Sequence, residues 1–277
     1  MPRATHFDAA ALLRKAEAAG DADLDLAPTA LAFSMIDLPQ SGDADSYMAH
    51  LTALGAATRA SCAKGFSLPE ALARVLVGEY GYHGDIDTYD DIANADLASV
   101  IDRRKGIPVS LGILFIWAAR QAGGTAKGLN VPGHFLLAAG IKGEEYIIDP
   151  FNGGRQLDDE DLHALLQRMY GRGQSVPEPR DLPRMSDRAV LIRLLNNIRT
   201  RVRERSDHVH LFEIVGKMMR LSPRDAELWY ERGISAAAIE RPAAAIEAIE
   251  RALALAPDAH WRGDAARTLA GLRRSLN

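Results

Sequence analysis

The chain has 277 residues, 47% hydrophobic and 25% charged, with a formal net charge of -4. That length allows one large or two modest domains with a buried core, and the composition is that of an ordinary globular protein, not a disordered or collagen-like one. No apolar run approaches the roughly 20 residues that span a bilayer, and the single cysteine, Cys62, excludes an internal disulfide and any multi-cysteine zinc site.

The opening MPRATHFDAAALLRKAEAAG lacks the basic-then-apolar pattern of a secretory signal and reads as an amphipathic helix. A cytoplasmic location, with no membrane association, is the expectation. The charge is uneven. Residues 1–170 carry 14 Lys and Arg against 23 Asp and Glu, and residues 171–277 carry 19 against 14. Solvated helix faces account for such a split, although opposed halves could also attract one another or different partners.

Residues 1–93 read as a helical cap. Asp8 to Ala19, Asp43 to Ala63 and Leu68 to Tyr80 carry helical periodicity, and Pro28 and Pro39 punctuate the stretch between the first two. Ser67-Leu68-Pro69-Glu70 has the form of a capping box with proline near the helix start. The acidic loop Asp85 to Asp91 lacks the spacing of an EF-hand, so calcium is not expected there. Cys62, the alternative nucleophile, sits in a helical stretch and reads as a small helix residue.

Residues 94–170 read as the core. Pro108 suits the first turn of a helix in which Leu111, Leu114, Phe115 and Ala118 follow at helical spacing, with Arg120 and Gly123-Gly124 at its end. Ser110 falls in the first turn, beside unsatisfied backbone N–H groups and the positive end of the helix dipole. His134 to Ile141 and Glu144 to Asp149 are strand-like, joined by the turn signal Lys142-Gly143. That turn makes paired residue numbers sum to 285. Asp149 then stands opposite Leu136, with His134 as its diagonal neighbour on the same face, within reach of longer side chains. A carboxylate there could orient the imidazole. Leu157 to Tyr170 reads as a further helix with acidic residues in its first turn.

Residues 171–187 hold three prolines and few apolar residues and read as a linker. From 188 to 277 the pattern is all helix with an internal repeat. Leu221-Ser222-Pro223 and Leu255-Ala256-Pro257 stand 34 residues apart, the tetratricopeptide period. Ala226 to Ala259 is the better unit, one from about Ile192 is degenerate, and His260 to Asn277 would cap the array. Such repeats present a groove to a protein or peptide partner. Arg199, Arg201, Arg203 and Arg205 alternate around a helix and form no stripe, so no nucleic-acid partner is expected.

Several phrases carry a family likeness: Tyr80-Gly81-Tyr82 with Tyr89, Asn94-Ala95-Asp96-Leu97, Arg103-Arg104-Lys105-Gly106-Ile107-Pro108-Val109-Ser110-Leu111, Pro132-Gly133-His134-Phe135-Leu136, and Ile148-Asp149-Pro150-Phe151-Asn152-Gly153-Gly154. In this order they resemble the SirB-type bacterial proteins, which have a transglutaminase-like core and C-terminal tetratricopeptide repeats. The resemblance implies an α+β fold: a helical cap, a papain-like core of a helix on a small antiparallel sheet, and an all-α repeat region. It also implies that Ser110, His134 and Asp149 occupy the places of a catalytic triad. The catalytic members use a cysteine where this chain has Ser110.

Further candidates surround these three. Asn130 could bond the polar groups of the cleft or fix a turn. Arg103 and Arg104, before the helix, could hold an anion near its N-terminus or be surface charge. No metal or organic cofactor is implied. Two functions follow. In the first the core is a non-catalytic, protein-binding or regulatory module that works through its cleft and repeats. In the second Ser110 is the nucleophile of a hydrolase or acyl transferase on peptide amides, with His134 as base and Asp149 as orienter.

Overall fold

The computed structural model describes residues 7–18, 24–36, 44–131, 133–170, 177–178 and 181–275. Contacts divide the chain into two compact units, Met1–Leu194 and Leu195–Asn277. The expected cap and core, 1–93 and 94–170, both fall inside the first unit. Residues 171–176 and 179–180 of the expected linker lie outside the described residues, as do Pro39 and Pro132.

The first unit begins with α1 (Ala9–Ala18), α2 (Leu26–Met35) and α3 (Ala44–Ala63). The next helix starts as expected. Ser67 and Glu70 close a reciprocal capping box, with the Ser67 amide and hydroxyl donating to Glu70 Oε2 at 2.9 and 2.7 Å. Only α4 (Leu68–Leu72) is α-helical, however. Ala73–Glu79 winds as a π-helix, and its wider turns end with the Tyr80 amide on Val75 O at 2.9 Å.

The short strand β1 (His83–Gly84) precedes α5 (Leu97–Arg103), and β2 (Lys105–Gly106) pairs with β1 in parallel. Then comes α6 (Pro108–Gln121), with proline in its first turn as expected. Residues from Pro108 to Ala119 are buried on every side of α6 except at Trp117, which marks it as the central helix of the unit.

A four-stranded antiparallel sheet follows: β3 (Thr125–Val131), β4 (His134–Gly140), β5 (Tyr146–Asp149) and β6 (Arg155–Leu157), in that spatial order. The Lys142-Gly143 turn forms with positive φ at both residues, 55° and 92°, the geometry of a tight hairpin. Leu137 pairs with Ile148 and Ala139 with Tyr146, the register expected from that turn. Leu157 does not open the next helix. It ends β6, opposite Ile147, and α7 (Asp159–Tyr170) starts two residues on.

The sheet sorts its side chains by alternation. Leu136 and Ala138 pack with Leu162, Leu165 and Leu166 of α7. Phe135 points the other way, against α6. A Cβ on Gly112 would stand 2.7 Å from Phe135 Cδ1, so a residue without a side chain is what lets α6 lie this close.

α8 (Asp187–Glu204) runs from the first unit into the second, which continues with α9 (His208–Leu221), α10 (Ala226–Ala238), α11 (Pro242–Leu255) and α12 (Arg262–Ser275). The bounds of α9 and α11 are 34 residues apart, the period read from the Leu-x-Pro repeat. α10 and α11 form the better unit. A Cβ on Gly233 of α10 would stand 2.5 Å from Ile249 Cγ1 of α11, so glycine permits this close helix pair. The expected capping helix is α12; Leu276 and Asn277 lie outside the described residues.

Candidate functional site

The hairpin register brings His134 and Asp149 together. His134 Nε2 lies 2.9 Å from Asp149 Oδ2, and the two side chains are 11% and 5% exposed, so water competes little for the bond. Asp149 ends its strand and receives four donors. Oδ2 also accepts Asn152 Nδ2 at 2.7 Å, and Oδ1 accepts the amides of Phe151 and Asn152 at 3.1 Å each, an Asx turn. Burial pushes the carboxyl upward. The bonds from His134 and Asn152 outweigh it and hold Asp149 below the usual carboxylate range.

An ionised Asp149 makes His134 Nε2 the protonated nitrogen of the neutral ring. That leaves Nδ1 for any other work. In a Ser-His-Asp triad the carboxylate binds Nδ1, and the far-reaching Nε2 meets the nucleophile. Here the ring is presented the other way round, and its remaining nitrogen lies next to its own backbone.

Ser110 is fully buried. Its hydroxyl approaches two main-chain carbonyls, Asn94 O at 2.7 Å and Ile107 O at 3.0 Å. Of the three residues the sequence reading placed in one triad, two are bonded to each other, and the third turns to the backbone that leads into α6. A Cβ on Gly106 would stand 2.5 Å from Ser110 Oγ, so the turn before the helix closes over the hydroxyl. Cys62, the other possible nucleophile, stands near the end of α3, where burial pushes its thiol up and disfavours the thiolate.

Asn130 belongs to a different arrangement. Its Oδ1 accepts from Arg193 Nη1 at 3.0 Å, and its amide donates to Pro183 O at 3.0 Å. Arg193, on α8, also donates Nη2 to Val131 O at 3.3 Å and to His134 O. Its guanidinium lies 5.4 Å from the centre of the Phe135 ring. One arginine therefore spans the turn that carries His134. The sequence reading missed Arg193 because it stands 59 residues beyond His134 inside an ordinary helix. Asn152 it could have found, since an asparagine three residues after a strand-end aspartate suits an Asx turn.

Arg103 and Arg104 are both engaged by other side chains of the first unit. Arg103 Nη2 lies 3.2 Å from Asp85 Oδ2, and Lys105 Nζ lies 2.9 Å from the same oxygen. Asp85, almost wholly buried, thus uses the two basic residues as counterions, and its acidic loop closes on the protein's own charge. Arg104 sits in the left-handed region (φ 58°). It donates Nη1 to Tyr82 Oη at 2.7 Å and faces His50 Nε2 at 2.6 Å. Among the described residues, no group of three or more His, Cys, Asp or Glu could hold a metal ion.

The second unit has a surface of its own. A cavity of about 340 Å³ is lined by α8, α9 and α10 and by His260 and Trp261. Tyr230 and Trp261 stack at 4.5 Å with planes 5° apart, and Arg199 pairs with Glu231.

Comparison with known proteins places this geometry. A family model described as the transglutaminase-like superfamily matches residues 45–196. The chain belongs to the transglutaminase-like superfamily. A tetratricopeptide repeat model matches residues 198–270. The chain is 31% identical over 194 residues to a UPF0162 protein of Xylella fastidiosa, covering 69% of this chain and 68% of that one. It is 42% identical over 85 residues to a UPF0162 protein of Vibrio cholerae, 30% of this chain and 32% of that one. It is 33% identical over 105 residues to F-box only protein 21 of Homo sapiens, 35% of this chain but 17% of that one. No solved structure matches it. Among the described residues, no helix is long and apolar enough to cross a membrane.

Proposed function

We propose that this protein is a non-catalytic member of its family, a protein-binding or regulatory module. The transglutaminase-like core (94–170), under its helical cap (1–93), keeps the His134–Asp149 cleft as a binding surface. The repeat region (188–277), beyond the 171–187 linker, holds a peptide segment of a partner protein in its groove. The partner is a protein and not a nucleic acid, and the setting is the cytoplasm of a bacterium. One observation carries the reading: the Ser110 hydroxyl is buried and bonded to Asn94 O and Ile107 O. A general base must approach a nucleophile's proton to about 2.6–3.2 Å, and the His134 nitrogen best able to reach outward is bonded to Asp149.

The test is covalent labelling. The whole chain is treated with a fluorophosphonate, which phosphonylates activated serines with loss of fluoride, and assayed with activated esters and peptide amides. The expected result is no adduct on Ser110 and no turnover above that of a Ser110→Ala protein. A stoichiometric Ser110 adduct would overturn the reading. It would favour the hydrolase or acyl-transferase alternative, which draws its support from the 2.9 Å His134–Asp149 bond.

A further inference from the structure

The turn that follows β5 runs through Asn152-Gly153-Gly154. Of the six asparagines in the chain, Asn152 alone is followed by glycine. That order has a chemical consequence. The carbonyl carbon of an asparagine side chain, Cγ, can be attacked by the backbone nitrogen of the next residue, and a glycine there puts no Cβ in the way.

Three observations favour the attack at this turn. Asn152 and Gly153 are exposed, so water reaches both. Gly153 has a φ of 75°, and a Cβ built on it would meet no heavy atom within 4 Å, so the chain is open around the nucleophile. Among the described residues the Gly153 amide donates no hydrogen bond, whereas the amides of Phe151 and Asn152 are both held by Asp149 Oδ1 at 3.1 Å. One contact opposes it. Asn152 Nδ2 donates to Asp149 Oδ2 at 2.7 Å, and the same oxygen lies 2.9 Å from His134 Nε2.

We infer that Asn152 is a site of spontaneous deamidation that rewires the His134–Asp149 pair, and that Asp149 restrains its rate. The Gly153 amide gives its proton to solvent, and its nitrogen attacks Asn152 Cγ. The new C–N bond closes a succinimide ring, the Cγ–Nδ2 bond breaks, and Nδ2 takes one proton from solvent and leaves as ammonia. Water then opens the ring at either carbonyl, giving aspartate or isoaspartate at position 152. The net reaction consumes one water and releases one ammonia. The product lacks the Nδ2 donor and sets a second carboxylate against Asp149 Oδ2, a like charge where a hydrogen bond stood. Isoaspartate also adds a methylene to the main chain of the turn. Both products alter the carboxylate to which His134 is bonded, whether the cleft binds a partner or turns over a substrate.

The restraint has a size. The bond to Asp149 must break before Cγ reaches the Gly153 nitrogen. A hydrogen bond to a charged group is worth about tenfold or more in an equilibrium, so the folded chain should react about tenfold more slowly than a free peptide.

The test is peptide mapping by mass spectrometry of the full chain, aged at neutral pH beside the capped peptide Pro-Phe-Asn-Gly-Gly. After about ten half-lives of the peptide, a tenfold slowing leaves about half of Asn152 converted, with the mass gain of an NH2-to-OH exchange and ahead of the other asparagines. Asp149→Ala, with the circular dichroism of the parent, should convert close to the peptide's rate. Gly153→Ala, at an open position, should slow conversion and keeps the test if the first variant does not fold. Asn152→Asp, one of the two products, should lower Tm and shift the His134 imidazole signals in NMR spectra, as ageing does in the parent. Asn152 intact over that period, conversion as fast as in the peptide, or His134 signals unmoved by Asn152→Asp would overturn the inference.

Discussion

Ser110→Ala separates a structural serine from a catalytic one. The hydroxyl approaches Asn94 O at 2.7 Å and Ile107 O at 3.0 Å. Neither carbonyl is orphaned by its removal. Asn94 O still accepts the Ile107 amide at 3.3 Å, and Ile107 O still accepts the Leu111 amide at 3.1 Å. The loss is therefore that of one net hydrogen bond, about 1–1.5 kcal/mol, without the larger cost of a stranded polar group. Alanine returns up to about 0.5 kcal/mol through its better helix propensity. The net destabilisation expected is about 0.5–1.5 kcal/mol, measured by urea denaturation followed by circular dichroism. Partner binding at saturating concentrations should be unchanged. A variant as stable as the parent would refute the bonding scheme. A variant that loses function with stability intact would refute the structural role.

Gly112→Ala should also destabilise; it gains about 1 kcal/mol of helix propensity, but the clash lies at the upper end of the overpacking range. Its methyl would collide with the buried Phe135 ring, an overpacking cost of up to about 3 kcal/mol, so a net loss of up to about 2 kcal/mol is expected, and Phe135→Leu in the same chain should recover part of it in a double-mutant cycle. Burial and the adjacent Arg104 lower the His50 pKa to about 4, beneath the ordinary value near 6.5. The unfolded chain then binds the extra proton between those values, so stability should fall as pH drops from about 6.5 to about 4, and His50→Gln should flatten Tm across that window. Asp149, held below its ordinary value, stabilises the fold above pH about 4, and this contribution is lost as pH falls through its folded pKa; Asp149→Asn should remove that acid limb from the Tm profile. Cys62, its thiol pushed up by burial, should react with Ellman's reagent at pH 8 more slowly than a free cysteine, and more slowly still if the helices around it are stabilised.

Local chemistry made much of this protein legible in its sequence. Lys142-Gly143 can close a two-residue hairpin with both φ values positive, and a hairpin has one register, so the neighbourhood of His134 and Asp149 followed from residue numbers. Pro108 marked the start of α6 and the recurring Leu-x-Pro marked the repeat, because proline and periodicity act over a few residues. Leu157, the last residue of β6, was read as the start of a helix, because three residues are too few for alternation to declare itself.

Where each polar side chain makes its hydrogen bonds was settled by packing. The Ser110 hydroxyl turns to a carbonyl 16 residues before it, Arg193 reaches a turn 59 residues away, and Arg103 and Lys105 converge on the buried Asp85. No periodicity encodes these pairings. A buried donor or acceptor takes the partner that folding brings within about 3 Å, and that distance depends on the packing of every element between them. The main helices, the His134–Asp149 hairpin and the repeat could be read from residue order, while α2 and the short strands could not; packing settled that the serine at the head of α6 faces its own backbone.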